Sequence, residues 1–447
     1  MKHPYYILLI SLSLSLGYAQ EDQKLYEIIN AVSSEHLKKD VVKLVGFGTR
    51  HTLSDTLSDS RGIGAARRWI KSEFDKISEN CNNCLEVFYQ KNYFTPQDGN
   101  RIVKPVWINN VLAIQRGTTH PNRYIIMSGD IDSRISVPTN YTDDSPGAND
   151  NASGMAGTLE AARVLSNYTF ENSILYVGLA GEEQGLFGGK GLAKHAQEEG
   201  WEIIGILNND MIGNIKGVDG VIDNRSFRIF SEPVPANESE EARKARRFYG
   251  GEVDGNSRQL ARYVYKTVKH YLPEMNPMMI YRLDRFGRGG HHRPFNDLGY
   301  PGIRIMEAHE NYVMQHQDIR NENGIAYGDV LSGVDFEYAK KLTAVNAINL
   351  ASLAWAPPAV KKLLIGGIVQ ASAKFKWEKV NDPNVKGYKI YWRATTSPHW
   401  EYERFVGNVD SHTLEGIVID NYFFGIATVG TNGFESPVVF PNGIFRD

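Results

Sequence analysis

The chain has 447 residues, 42% of them hydrophobic and 23% charged, with a formal net charge of −3. That is the composition of a soluble globular protein with room for two or three domains, each with its own core. The near-neutral balance and the short, mixed runs of Lys and Arg argue against a nucleic-acid binder.

Residues 1–19 combine a basic start, an apolar stretch from Tyr5 to Leu16 and small residues at Gly17 and Ala19. This pattern reads as a secretory signal cleaved after Ala19, which predicts a secreted or periplasmic protein. The apolar stretch is short for a membrane span, and no other segment reaches spanning length. Residues 20–98 repeat apolar positions at helical spacing in "QKLYEIINAVSSEHLKKDVVKLV" and "GIGAARRWIKSEFDKIS", with a polar loop between them, and are expected to pack on the domain that follows. Cys81 and Cys84 are the two cysteines. They are too few for a four-ligand zinc ribbon, and in an oxidising compartment they read as a local disulfide, with a redox pair the lesser alternative.

Over residues 99–356, short apolar runs suited to buried strands ("RYIIMSG", "NSILYVGLAG", "EIIGILN", "GIRIM") alternate with amphipathic helices. The alternation predicts an α/β domain, a three-layer α/β/α sandwich around a largely parallel mixed sheet. At "APPAV" the texture changes, and residues 357–447 hold strands and turns without a convincing helix, which predicts a small all-β sandwich. The order of Trp377, "GYKIYWR" and "NYFFGIATVG" resembles a fibronectin type III module, and that resemblance implies a binding or spacing role.

The chemistry concentrates where ligands bind in open α/β sheets, at the carboxyl ends of the strands. Asp130 and Asp132 follow the first strand, Glu182 and Glu183 the second and Asp210 the third, while Asp150 sits in the loop "SPGANDNASG" that leads into a helix. One aspartate after a strand commonly caps a helix. Six carboxylates converging without compensation would repel strongly, and one or two divalent cations account for them economically.

The motifs "PGANDNASG", "GEEQGLFGG" and "NNDMIG", in this order, resemble the zinc-dependent aminopeptidase family that includes bacterial leucyl aminopeptidases, with glutamate carboxypeptidases and glutaminyl cyclases as relatives. The resemblance spans residues 100–355 and implies a zinc exopeptidase acting on peptides. By motif, Asp150 would bridge two metals, Glu183 would bind the first, Asp210 the second, and Glu182 would be the general base. Asp130 stands where the family's second-site histidine belongs, and Asp132 matches the residue that orients that histidine. An all-carboxylate second site would hold zinc or another divalent metal, or stay partly empty. The last ligand is one of His291, His292, His309 and His316. The acidic residue trailing "ENYVMQHQDIR" favours His316, while His292 matches a site-lining histidine. Gln315 precedes His316 where many members carry a tyrosine. A single-zinc relative such as a glutaminyl cyclase and a catalytically impaired binding protein are the alternatives.

Overall fold

The computed structural model describes residues 23–249, 251 and 254–446; the signal sequence read at residues 1–19 lies outside them. Three helices come first, α1 (residues 23–31), α2 (Ser34–Val45) and α3 (Gly62–Asn80). Ser33 caps α2, its hydroxyl accepting from the His36 N–H. A Cys81–Cys84 disulfide follows α3 directly. Next come β1 (Leu85–Phe94), β2 (Val106–Gln115), β3 (His120–Asp130), α4 (Gly154–Leu165), β4 (Asn172–Leu179), the one-turn α5 (Glu182–Gly185), α6 (Phe187–Glu198) and β5 (Glu202–Asn209). The domain continues through β6 (Ser226–Ser231), α7 (Glu240–Tyr249), α8 (Asn256–Tyr271), β7 (Asn276–Ile280), α9 (Arg293–Asp297), β8 (Gly302–Glu307), the small hairpin β9 (Arg320–Glu322) and β10 (Ile325–Tyr327), and α10 (Phe336–Trp355).

Eight strands form one sheet in the order β1-β2-β4-β3-β5-β8-β6-β7. The central strands β4, β3, β5 and β8 run parallel, while β1, β2 and β6 join their inner neighbours antiparallel. All eight residues of β4 are buried, as a strand covered on both faces requires. One core on the α4 and α10 side also takes in Leu25, Leu44, Ile70 and Phe74, so the N-terminal helices share the α/β domain's interior. A second core on the opposite face gathers Leu192, Trp201 and Phe295.

Residues 20–98 are not wholly helical, because β1 forms an edge of the main sheet. It pairs along its whole length with β2, from Leu85 opposite Gln115 to Phe94 opposite Val106. Being at the edge and half-exposed, β1 needs no continuous apolar run, so helical spacing was the only strong pattern nearby.

The C-terminal region holds β11 (Leu363–Gly366), β12 (Ala373–Trp377), β13 (Val385–Ala394), β14 (Tyr402–Gly407), β15 (Ser411–Leu414), β16 (Tyr422–Gly430) and β17 (Gly443–Ile444). These build a four-stranded sheet, β15-β12-β11-β17, and a three-stranded sheet, β14-β13-β16, around Phe375, Trp377, Tyr388 and Phe424. The region is joined to the α/β domain by buried contacts. Asp254 pairs at 2.5 Å with Arg262 of α8 and, through its other oxygen, with Arg393 of β13. Phe434 packs on Trp355 at the end of α10, with ring centres 4.9 Å apart.

Candidate metal centre

Because β3, β4 and β5 are parallel neighbours, their carboxyl ends open at one sheet edge, and each delivers an acidic residue there. The turn from β4 into α5 passes through Gly181 at φ 75°, where a Cβ would also stand 2.9 Å from Ile108 Cδ1. Glycine therefore permits the bend that aims Glu182 and Glu183. Asp132 holds the same turn, its two carboxylate oxygens accepting the Glu182 N–H at 3.2 Å and the Glu183 N–H at 3.1 Å. Thr52 donates to Asp132 at 3.1 Å. Asp132 thus positions the glutamate pair through its backbone, while Asp130 turns toward other partners.

Asp150 lies in a tight turn, residues 148–153, where it and Asn151 leave helical backbone angles before α4 begins. Asp329 fastens this turn, accepting the Asn149 N–H at 2.8 Å and the Asp150 N–H at 2.7 Å. Buried Arg50 braces it from the N-terminal segment, donating to the carbonyls of Ile131 at 2.8 Å and Gly147 at 2.9 Å.

Asp150, Glu183 and His316 meet: one ligand atom from each lies within 4.8 Å of the other two. His316 Nε2 stands 2.9 Å from both Asp150 Oδ2 and Glu183 Oε1. Gln315 donates to the same Asp150 oxygen at 3.0 Å. Arg134 Nε donates to Glu183 Oε2 at 2.7 Å, and its Nη2 lies 2.6 Å from His316 Nδ1. His316 itself adopts φ 53°, a left-handed conformation that a non-glycine residue takes at a cost.

The electrostatics follow from this packing. Burial alone would lower the His316 pKa, but the charges of Glu183 and Asp150 lift it to about 9. Burial favours protonated Asp150 and Glu183, yet the His316 charge and its hydrogen bonds hold both below the usual carboxylate range. Half-buried Glu182 is pushed well above that range, first by burial and then by the charges of Glu183, Asp210, Asp130 and Asp150. Asp132 rises to about 7 by burial and the charge of Glu183.

The donor set Asp150, Glu183 and His316 fits a divalent cation. Two carboxylates and an imidazole converge on one point, and the His316 proton supplies the positive charge between the acids. Such a three-ligand set leaves a coordination position open for substrate or water.

A second centre is not assembled in the same way. Asp130 Oδ1 lies 2.5 Å from His291 Nδ1, and its Oδ2 accepts from Asn151 Nδ2 at 2.7 Å. Asp210 Oδ2 pairs at 3.0 Å with Arg304, a fully buried arginine of β8 whose Nε also donates to the Asp210 carbonyl at 2.8 Å. Burial pushes Asp130 and Asp210 to about 8 in spite of these partners. Two buried atoms, Asp210 Oδ1 and His291 Nε2, have no hydrogen-bond partner.

The other histidines lie apart from the cluster. His292 is buried, its Nε2 donating to the Leu283 carbonyl at 2.8 Å, and burial lowers its pKa to about 4. Half-exposed His309 sits beside Asp219 and Asp223. Sequence reasoning missed Arg134, Arg304, Asp329 and Arg50. Arg304, a lone charge inside the apolar run "GIRIM", was the one visible signal among them.

Residues 110–328 match the sequence profile of Peptidase family M28. A probable zinc metalloprotease of Pyrenophora tritici-repentis is 38% identical over 423 residues, covering 94% of this chain and 98% of the relative. The chain belongs to peptidase family M28. A second relative, a probable zinc metalloprotease of Pyrenophora teres f. teres, is 41% identical over 94% of this chain and 87% of its own. Among solved structures, the Legionella pneumophila LapA aminopeptidase superposes with a TM-score of 0.55 at 17% identity, covering 75% of each chain, a likeness of fold. The M28 match takes in Asp130, Asp150, Glu182, Glu183, Asp210 and His316.

Proposed function

We propose that this M28 chain is an exported zinc-dependent exopeptidase of the aminopeptidase type, with Asp150, Glu183 and His316 as zinc ligands and Glu182 as general base. The observation that carries the reading is positional. Glu182 adjoins the ligand Glu183 on α5, and its side chain lines the same cleft as Asp150, Asp210 and His316. The names of the fungal relatives support zinc and peptide hydrolysis, and the signal-like residues 1–19 support export.

Bound there, zinc would supply Lewis acidity, activating water and polarising the scissile carbonyl. Glu182 takes a proton from the attacking water and returns it to the departing amine. Glu182, held protonated by burial and its acidic neighbours, would become a working base with a cation bound among these carboxylates. Asp132 keeps Glu182 aimed by holding its backbone. Arg134 and Gln315 orient Glu183 and Asp150 from outside the ligand group.

Metal content and activity test the reading together. We expect one tightly held zinc per chain and hydrolysis of unblocked peptides that is lost in Glu182→Gln with zinc retained. A second ion would have to draw in Asp210 and His291, whose unpartnered atoms are the ones available. Retained hydrolysis in Glu182→Gln, or no zinc uptake, would end the proposal.

A further inference from the structure

The cleft beside the cluster has a volume of about 500 Å³, and away from the acidic centre its walls are cationic. Arg101, Lys190, Arg288 and Arg293 all line it, and none has a carboxylate partner among the described residues. Arg101 donates only to the Glu183 carbonyl, at 2.6 Å, and the Lys190 ammonium lies 4.8 Å from the Phe187 ring centre. Arg293 Nε is buried and makes no hydrogen bond. The one carboxylate lining the cleft outside the acidic centre is exposed Asp297. Several arginines elsewhere do pair with anions, as Arg116 does with Glu86 at 2.8 Å and Arg123 with Glu202 at 2.8 Å.

The glycine-rich loop is shaped to present these groups. A Cβ at Gly289 would stand 3.0 Å from both Cδ and Nη1 of Arg293, so glycine there lets the arginine lie across the loop toward the cleft. Arg288 sits on the same loop, while Lys190 on α6 and Arg101 come from other elements. Four separate positions thus point positive charge at one space whose acidic floor belongs to the metal centre.

We propose that this cleft selects substrates carrying a carboxylate next to the scissile bond, held by Arg288 and Arg293 with Arg101 and Lys190 adding to the field. The inference rests on the peptidase reading above. The carboxylate is either an acidic side chain or the peptide's own C-terminus. A guanidinium presents paired N–H donors that match a carboxylate, and a wall lined with cations draws anionic groups to its side of the cleft. A substrate with a basic side chain at that place meets repulsion.

The test uses zinc-loaded full-length protein and short peptides with free N-termini, carrying Glu, Gln or Lys beside the scissile bond, each made as C-terminal acid and amide. A Glu over Gln preference of roughly tenfold in kcat/KM within the amides identifies a side-chain carboxylate. A similar acid over amide preference within the Gln peptides identifies the C-terminus. Either preference should shrink severalfold in 0.5 M salt (about a 4 Å screening length) and in Arg288→Gln, Arg293→Gln and exposed Lys190→Gln, while Arg293→Lys keeps part of it. Because each result is a ratio on one protein sample, partial misfolding does not produce it. Equal rates for all forms, or faster cleavage of the Lys peptide, would overturn the inference. If no peptide is cleaved, the peptidase reading fails, and calorimetric binding of the Glu and Gln peptides still decides the carboxylate preference by itself.

Discussion

Asp329→Ala probes the support of the centre without touching a proposed ligand. Asp329 accepts two backbone N–H groups, those of Asn149 and Asp150, inside the protein. Removing it strands both donors, at about 1–3 kcal/mol each. Part of that loss is offset, because burial already pushes the Asp329 pKa to about 7 and its charge is costly to keep there. The net expectation is a destabilisation of roughly 2–4 kcal/mol. The turn that fixes Asp150 loosens with it, so zinc affinity should fall roughly 10–100-fold, as for other residues that orient ligands from behind. Asp329→Asn keeps one acceptor and should show a smaller change in both quantities. Urea unfolding of chelator-treated protein gives the first quantity, and competition with a chromophoric chelator gives the second. If Asp329→Ala stays within about 0.5 kcal/mol of the parent, as an ordinary surface change does, and binds zinc equally well, the turn is held by other contacts.

Glu182→Gln should lower kcat by about 10²–10⁴-fold while elemental analysis finds zinc unchanged. Arg304→Met leaves Asp210 and Asp284 buried with their shared cation gone and should cost about 3–5 kcal/mol in urea unfolding. In the metal-free protein His316 has its pKa raised to about 9, above the unfolded value near 6.5, so its stabilisation is complete below that value and is lost as pH rises through 9. Asp130 and Asp210, raised to about 8, add to the same decline, so the melting temperature without metal should fall across this window. A flat profile would contradict the pairing. Zinc affinity should rise over the same range, because the ion displaces the His316 proton, and pH-dependent metal titration reads it.

The general architecture was legible because buried parallel strands write themselves as apolar runs, and their ends announce which residues share an edge. The motifs single out Asp150, Glu183 and Glu182, and the structure puts these residues at one cleft. His316 could be favoured over three other histidines only by its acidic neighbour, since its approach depends on a loop with a left-handed residue that spacing does not reveal. The charge partners were illegible for a simple reason. Arg304 meets Asp210 from 94 positions away and Arg134 meets Glu183 from 49, and no local pattern records such pairings. Arg50 was lost inside a segment whose polar composition suggested a surface loop, although it is buried. The first edge strand was hidden by its half-exposed position.

The Asp254 bridge to Arg262 and Arg393, with Phe434 seated on Trp355, bears on how this protein can be taken apart. A protease cut or a stop codon near residue 357 would bare an aromatic surface at the foot of the longest helix and strip one arginine from a shared acid. The hydrolase portion should therefore aggregate when expressed alone, and the β-sandwich is best regarded as an inseparable buttress of the enzyme.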